Sequence, residues 1–159
     1  MFIKPDYNVE NIYAIDLNEL KSRGINAFLF DLDSTLMASK SGFYTEKTLE
    51  WLQNVKKDFF VGVVSNNDNL AYEEKVLNVS DFPVVFSAHK PEIKVARKFM
   101  RDYSLDASKT VFVGDRPLTD IVCGKRLGCV TILVDSITAE MEKPIVRFAR
   151  ACERSFIRR

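Results

Sequence analysis

Asp31 and Asp33 stand two residues apart in Asp31-Leu32-Asp33-Ser34-Thr35, directly after the apolar stretch 25–30. On an extended segment, side chains at i and i+2 point the same way, so these two carboxylates can share one metal or one substrate. The competing reading is a cap or turn, because Asp, Ser and Thr favour helix starts. Three further polar groups also follow apolar stretches. Ser65-Asn66-Asn67-Asp68 offers a small hydroxyl and backbone N–H groups leading into a helix, which can hold a phosphoryl oxygen. His89-Lys90-Pro91 brings a cation ahead of a proline suited to a first helical turn. Gly114-Asp115-Arg116-Pro117-Leu118-Thr119-Asp120 sets two carboxylates five residues apart, oxygen donors of the kind Mg2+ takes alongside water and phosphate. Each group, taken alone, is equally an ordinary cap or a solvated loop.

Such groups act together only if the chain brings them together, and the pattern between them does so. Apolar runs at 25–30, 59–64, 83–86, 110–113 and 129–134 are nearly continuous and rich in Val, Ile and Phe. That is the signature of strands buried on both faces of a parallel sheet. Helical periodicity covers 45–57, 69–78, 92–103 and 117–127, the last closed by Gly128, and a leading helix over 15–23 ends at Gly24. The alternation predicts right-handed crossovers and a doubly wound, Rossmann-like α/β fold of about five parallel strands with helices on both faces. Ligands of such sheets bind beyond the carboxyl ends of the strands, and four of the five runs end in the groups above.

With 159 residues, 47% of them hydrophobic and 28% charged, the chain is expected to form one domain spanning 1–159. A net charge of +1 gives no reason to expect nucleic acid, but the charge is uneven. Residues 143–159 hold six Lys/Arg against one Glu. Cys123, Cys129 and Cys152 form no CxxC pair, which suggests neither a disulfide framework nor a zinc site and suits a reducing cytoplasm. No run reaches the roughly 18 to 20 apolar residues of a membrane span, and no signal segment is expected at the N-terminus.

Taken together, DLDST, SNN, HKP and GDRPLTD resemble motifs I to IV of the haloacid dehalogenase (HAD) superfamily, across nearly the whole chain. The resemblance implies a phosphatase acting through an aspartyl-phosphate. It makes Asp31 the nucleophile and Asp33 the acid that protonates the leaving oxygen and then the base that activates water. It makes Ser65, Asn66 and Lys90 the binders of the phosphoryl group. It gives Mg2+ to Asp31, Asp33 through its backbone carbonyl, and Asp115, with Asp120 in support. This set suits phosphoryl transfer, where catalysis is mainly positioning and cationic stabilisation.

HAD phosphatases often carry a cap domain after motif I or II, yet 35–59 has room for a loop and one helix, and 67–83 for a helix and a turn. No cap domain is expected, so the site is open to a bulky substrate or is enclosed by an oligomeric neighbour. More narrowly, the leading helix ending in glycine, SNN, GDxxxTD, Arg126-Leu127-Gly128 and the basic tail resemble the capless (IIIA) YqeG group. That group is related to the phosphatidylglycerophosphate phosphatases, which implies a lipid headgroup in phospholipid synthesis.

Residues 144–158 predict a basic amphipathic helix, with Ile145, Phe148, Ala149, Cys152 and Phe156 on one face and Arg147, Arg150, Arg154 and Arg158 opposite. Two placements follow. The helix lies peripherally on an anionic membrane at its cytoplasmic face, or it packs Phe148 and Phe156 onto the core with its arginines in solvent. Two other functional readings stay open: a phosphatase of a soluble sugar phosphate, nucleotide or nucleic-acid end, and a non-catalytic HAD-like binding module.

Overall fold

The computed structural model describes residues 3–137 and 144–157. Its centre is a six-stranded parallel sheet in the order β1-β6-β5-β2-β3-β4. The strands are β1 (Tyr7–Val9), β2 (Ala27–Phe30), β3 (Phe60–Val64), β4 (Val84–Val85), β5 (Thr110–Gly114) and β6 (Val130–Val134). Every residue of β2 and β5 is buried, as their unbroken apolar sequence requires.

Alternate side chains of these strands feed two different cores. Phe28, Phe30, Val63, Val111 and Val113 pack on one face with Leu20, Leu52, Val55 and Val76. Leu29, Val64 and Phe112 pack on the other with Ala96, Phe99, Met100 and Cys123. The first set of helical residues belongs to α1 (Leu17–Ser22), α2 (Glu46–Lys56) and α3 (Leu70–Val79). The second belongs to α4 (Lys94–Asp102) and α5 (Val122–Leu127). Helices therefore cover both faces, and each large side chain buried this way contributes about 1.5–3 kcal/mol. Trp51 lies against the first core, edge-on to Tyr13 and Phe30.

The chain runs outward from β2 through β3 to β4, then crosses to β5 on the other side of β2. That reversal opens a crevice at the carboxyl end of β2. Asp31 extends β2 by one residue, its N–H donating to Val113 at 2.9 Å, and Ser65 extends β3 with a 2.8 Å bond to Val85. Local signals fix the helix starts: the side chains of Asp16, Thr45 and Asn69 cap α1, α2 and α3. Gly128 closes α5 at φ +86°, where a Cβ would strain the turn.

Four expectations change. The sheet has six strands instead of about five, because Tyr7-Asn8-Val9 is a three-residue edge strand with no apolar run to announce it. β4 is only two residues long, and α4 begins at Lys94, so Pro91 lies in the preceding turn instead of in the helix. The stretch from Pro117 is not one α-helix: Pro117–Ile121 is a π-helical turn, and α5 starts only at Val122. No inserted cap domain stands among the described residues.

α6 (Pro144–Arg154) is reversed relative to the packed alternative. Phe148 is 70% and Phe156 45% exposed, whereas Glu153 is buried. The charged residues anchor it: Glu153 pairs with Arg116, and Arg154 reaches the carbonyls of Val134 (2.8 Å) and Asp115 (3.4 Å) and the carboxylate of Asp135 (3.0 Å). The chain turns after Arg154, and Ile157 bridges to Ile3. The expected helix ran to 158; Arg158 lies outside the described residues. No helix among the described residues is long and apolar enough to cross a membrane.

Candidate active site

Four strand ends deliver one polar cluster. Lys90 Nζ is buried between Asp31 Oδ1 at 2.8 Å and Asp120 Oδ1 at 2.9 Å. Burial alone would favour the neutral amine, but the charges of Asp120 and Asp31 outweigh it and hold the lysine pKa above its ordinary value. Burial, and then the charge of Asp31, push the Asp120 carboxyl upward, against the pull of Lys90. An ammonium donating to two carboxylates at these distances makes a charge-assisted contact with each.

Thr35 Oγ1 shares its proton between Asp31 Oδ2 (3.3 Å) and Asp115 Oδ1 (3.2 Å). Asp120 Oδ2 accepts the N–H of Arg116 at 3.1 Å. Gly114 makes this packing available, since a Cβ there would meet the Asp120 carboxyl carbon at 2.4 Å. Asp31, Asp115 and Asp120 each offer an oxygen within 4.8 Å of the other two. Three carboxylates around one lysine leave an excess of negative charge, and oxygen donors so spaced fit a hard divalent cation. The Asp33 carboxylate is outside that trio, so its place in the expected ligand set rests on its backbone carbonyl.

Asp33 Oδ1 accepts the hydroxyl of Tyr72 at 2.5 Å and the N–H of Lys40 at 2.8 Å. Burial of the phenol, with Asp33 beside it, raises the Tyr72 pKa well beyond the usual tyrosine range, so it stays a donor. Ser65 is buried, its Oγ accepting the N–H of Asn67 at 3.1 Å, which leaves its own proton for another oxygen. Asn66 spends its side chain on Lys90: Oδ1 accepts the Lys90 N–H at 2.7 Å and Nδ2 donates to the Lys90 carbonyl at 3.1 Å. It thereby fixes the loop that aims the lysine.

Asp31, Asp33, Ser65, Asn66, Lys90 and Asp120 line one cavity of about 280 Å3, together with Lys40, Arg116 and Thr119. Asp115 sits just beneath, buried. The fold thus brings all the sequence-predicted residues together. Sequence reasoning gave no role to Thr35, although it lies inside DLDST, nor to Arg116 inside GDRPLTD. Tyr72 carried no signal at all, since its reach depends on how α3 is rotated.

The HAD-hydrolase-like family model matches residues 87–144, which contain the Lys90 loop and the Asp115–Asp120 turn. Over 98% of its length the chain is 34% identical to the probable phosphatase YqeG of Bacillus subtilis (strain 168), covering 90% of that protein. The chain belongs to the YqeG family of haloacid dehalogenase phosphatases. This HAD phosphatase is also 27% identical, over 99% of its length, to phosphatidylglycerophosphate phosphatase 1, chloroplastic/mitochondrial, of Arabidopsis thaliana, of which it spans 48%. In fold it is similar to a HAD family enzyme of Bacteroides thetaiotaomicron crystallised as a magnesium complex, with a TM-score of 0.55 at 15% identity. That alignment covers 79% of this chain and 98% of the other.

Proposed function

We propose that this HAD phosphatase is a Mg2+-dependent phosphomonoester hydrolase that works through an aspartyl-phosphate on Asp31, with phosphatidylglycerophosphate as its substrate. The observation that carries the chemistry is the convergence of Asp31, Asp33, Lys90 and Asp120 on one cavity, with the buried Asp115 in the same carboxylate cluster. Asp31, the Asp33 carbonyl and Asp115, supported by Asp120, would hold the cation, which supplies neutralising charge at the phosphoryl oxygens.

In the first step an Asp31 oxygen bonds to phosphorus and the bond to the leaving oxygen breaks. The leaving oxygen keeps the electron pair and takes a proton from Asp33. In the second, Asp33 takes a proton from water as the water oxygen bonds to phosphorus; the bond to Asp31 breaks, and phosphate departs. Lys90 offsets the charge of the approaching phosphoryl group, and the Ser65 hydroxyl and the Asn66 loop bind its oxygens.

The lipid assignment is supported by the similarity to the plant phosphatidylglycerophosphate phosphatase and by a cleft without a cap. The C-terminal segment supports peripheral contact with an anionic bilayer, since Phe148 of α6 and Phe156 in the turn after it are exposed in an arginine-rich stretch. The test is a panel of phosphorylated compounds assayed with and without Mg2+, including phosphatidylglycerophosphate in vesicles, sugar phosphates, nucleotides and a 5′-phosphorylated oligonucleotide. The expected result is Mg2+-dependent phosphate release with the highest kcat/KM on the lipid. A preference for a soluble phosphate or a nucleic-acid end would overturn the lipid assignment; no release from any of them would favour a binding module.

A further inference from the structure

We infer that Tyr72 is a positioning residue that selects which oxygen of Asp33 carries the catalytic proton; the inference rests on the acid/base role proposed for Asp33. Asp33 lies on a loop beyond the sheet, so β2 does not itself fix its carboxylate. Two donors do. The Tyr72 hydroxyl and the Lys40 N–H both end on Oδ1, at 2.5 and 2.8 Å. A carboxylate oxygen offers two lone-pair sites, and Oδ1 has both filled, which leaves Oδ2 to hold the proton given to the leaving oxygen.

Tyr72 is itself aimed from the phosphate-binding turn. The Asn67 N–H donates to Ser65 Oγ at 3.1 Å, the Asn69 N–H to Asn67 Oδ1 at 2.9 Å, and the Tyr72 N–H to Asn69 Oδ1 at 3.0 Å. Each side chain in Ser65, Asn67 and Asn69 thus sets the backbone two or three residues on, ending at the first turn of α3. The Tyr72 ring packs on the larger core, and its hydroxyl also lies 3.4 Å from Met37 Sδ, on the returning arm of the Asp33 loop. A tyrosine serving only as core filling would not need its hydroxyl on a carboxylate. Here the hydroxyl ties the acid/base to the same turn that presents Ser65.

The experiment uses two substrates that differ in leaving group alone, phenyl phosphate and 4-nitrophenyl phosphate. The nitrophenolate leaves well without a proton, whereas the phenolate needs the acid. The ratio of kcat/KM for the two, nitrophenyl over phenyl, reports acid catalysis of the first step and is independent of how much of a variant is folded. Asp33→Asn is expected to raise the ratio by about 100-fold, the lower end of what a general acid supplies. Tyr72→Phe, which keeps the ring, is expected to raise it by about tenfold, the scale of a misplaced catalytic group. Asn69→Ala, which loosens the turn that aims Tyr72, shifts it in the same direction by less.

An unchanged ratio in Tyr72→Phe alongside a raised ratio in Asp33→Asn overturns the positioning role and leaves the acid/base assignment standing. Where Tyr72→Phe gives no active protein, an unchanged ratio in Asn69→Ala decides the same way. An unchanged ratio in Asp33→Asn overturns the acid/base assignment and the inference with it.

Discussion

Lys90 has its side chain 1% exposed, with two carboxylates in contact with its ammonium. Its removal leaves the buried Asp120 and the half-buried Asp31 beside Asp115 without this counter-charge, and breaking a buried ion pair from one side costs about 3–5 kcal/mol. Lys90→Met is therefore expected to lose more than about 1,000-fold in kcat and also to lower the urea midpoint of unfolding. A variant of wild-type stability and activity would show that the contact is incidental. At this scale the sequence carried the charged groups clearly, because each aspartate and the lysine lies in a polar group that follows an apolar run. It did not carry their hydrogen-bond partners. Thr35 and Tyr72 act through orientation, and a hydroxyl in a motif or on a helix gives no sign of what it faces.

The strand-to-turn passage from β5 to Asp120 shows how one element sets the site. Gly114 lets the Asp120 carboxylate lie against the end of β5, and the π-helical turn Pro117–Ile121 carries that carboxylate back toward Lys90. Gly114→Ala must push Asp120 aside, since the added methyl would stand 2.3 Å from its Cβ. The expected outcome is a loss of more than about tenfold in kcat/KM, because small displacements of charged groups are costly at such a site. Unchanged kinetics would mean that Asp120 can move without consequence. The strands of the centre were legible from unbroken apolar runs, whereas β1 was not, since an edge strand of three residues needs no such run. The π-helical turn was equally hidden, because its residues keep helical character and differ only in hydrogen-bond register. α6 was legible as an amphipathic helix but not in its orientation, which Glu153 and Arg154 set by reaching the Arg116 turn and the end of β6.

Across the whole molecule, strand order places the reactive groups at one rim of the sheet, and no cap domain covers that rim among the described residues. The outward Phe148 and Phe156 and the basic tail lead to a prediction for surfaces: the protein is expected to pellet with anionic vesicles at low salt and to be released at about 1 M salt, where screening is nearly complete. No pelleting at any ionic strength would remove the membrane role and leave the chemistry untouched. The short connections that follow β2 and β3 were readable from segment lengths alone. The substrate was not, because an open cleft constrains size and charge far less than an enclosed one. The central claim is the covalent phosphoaspartate, and it can be trapped directly. Enzyme quenched during turnover and reduced with borohydride should carry homoserine at position 31, found by peptide mass spectrometry, with none in enzyme quenched without substrate. Reduction at another residue, or no reduction while Asp31→Asn keeps full activity, would contradict it.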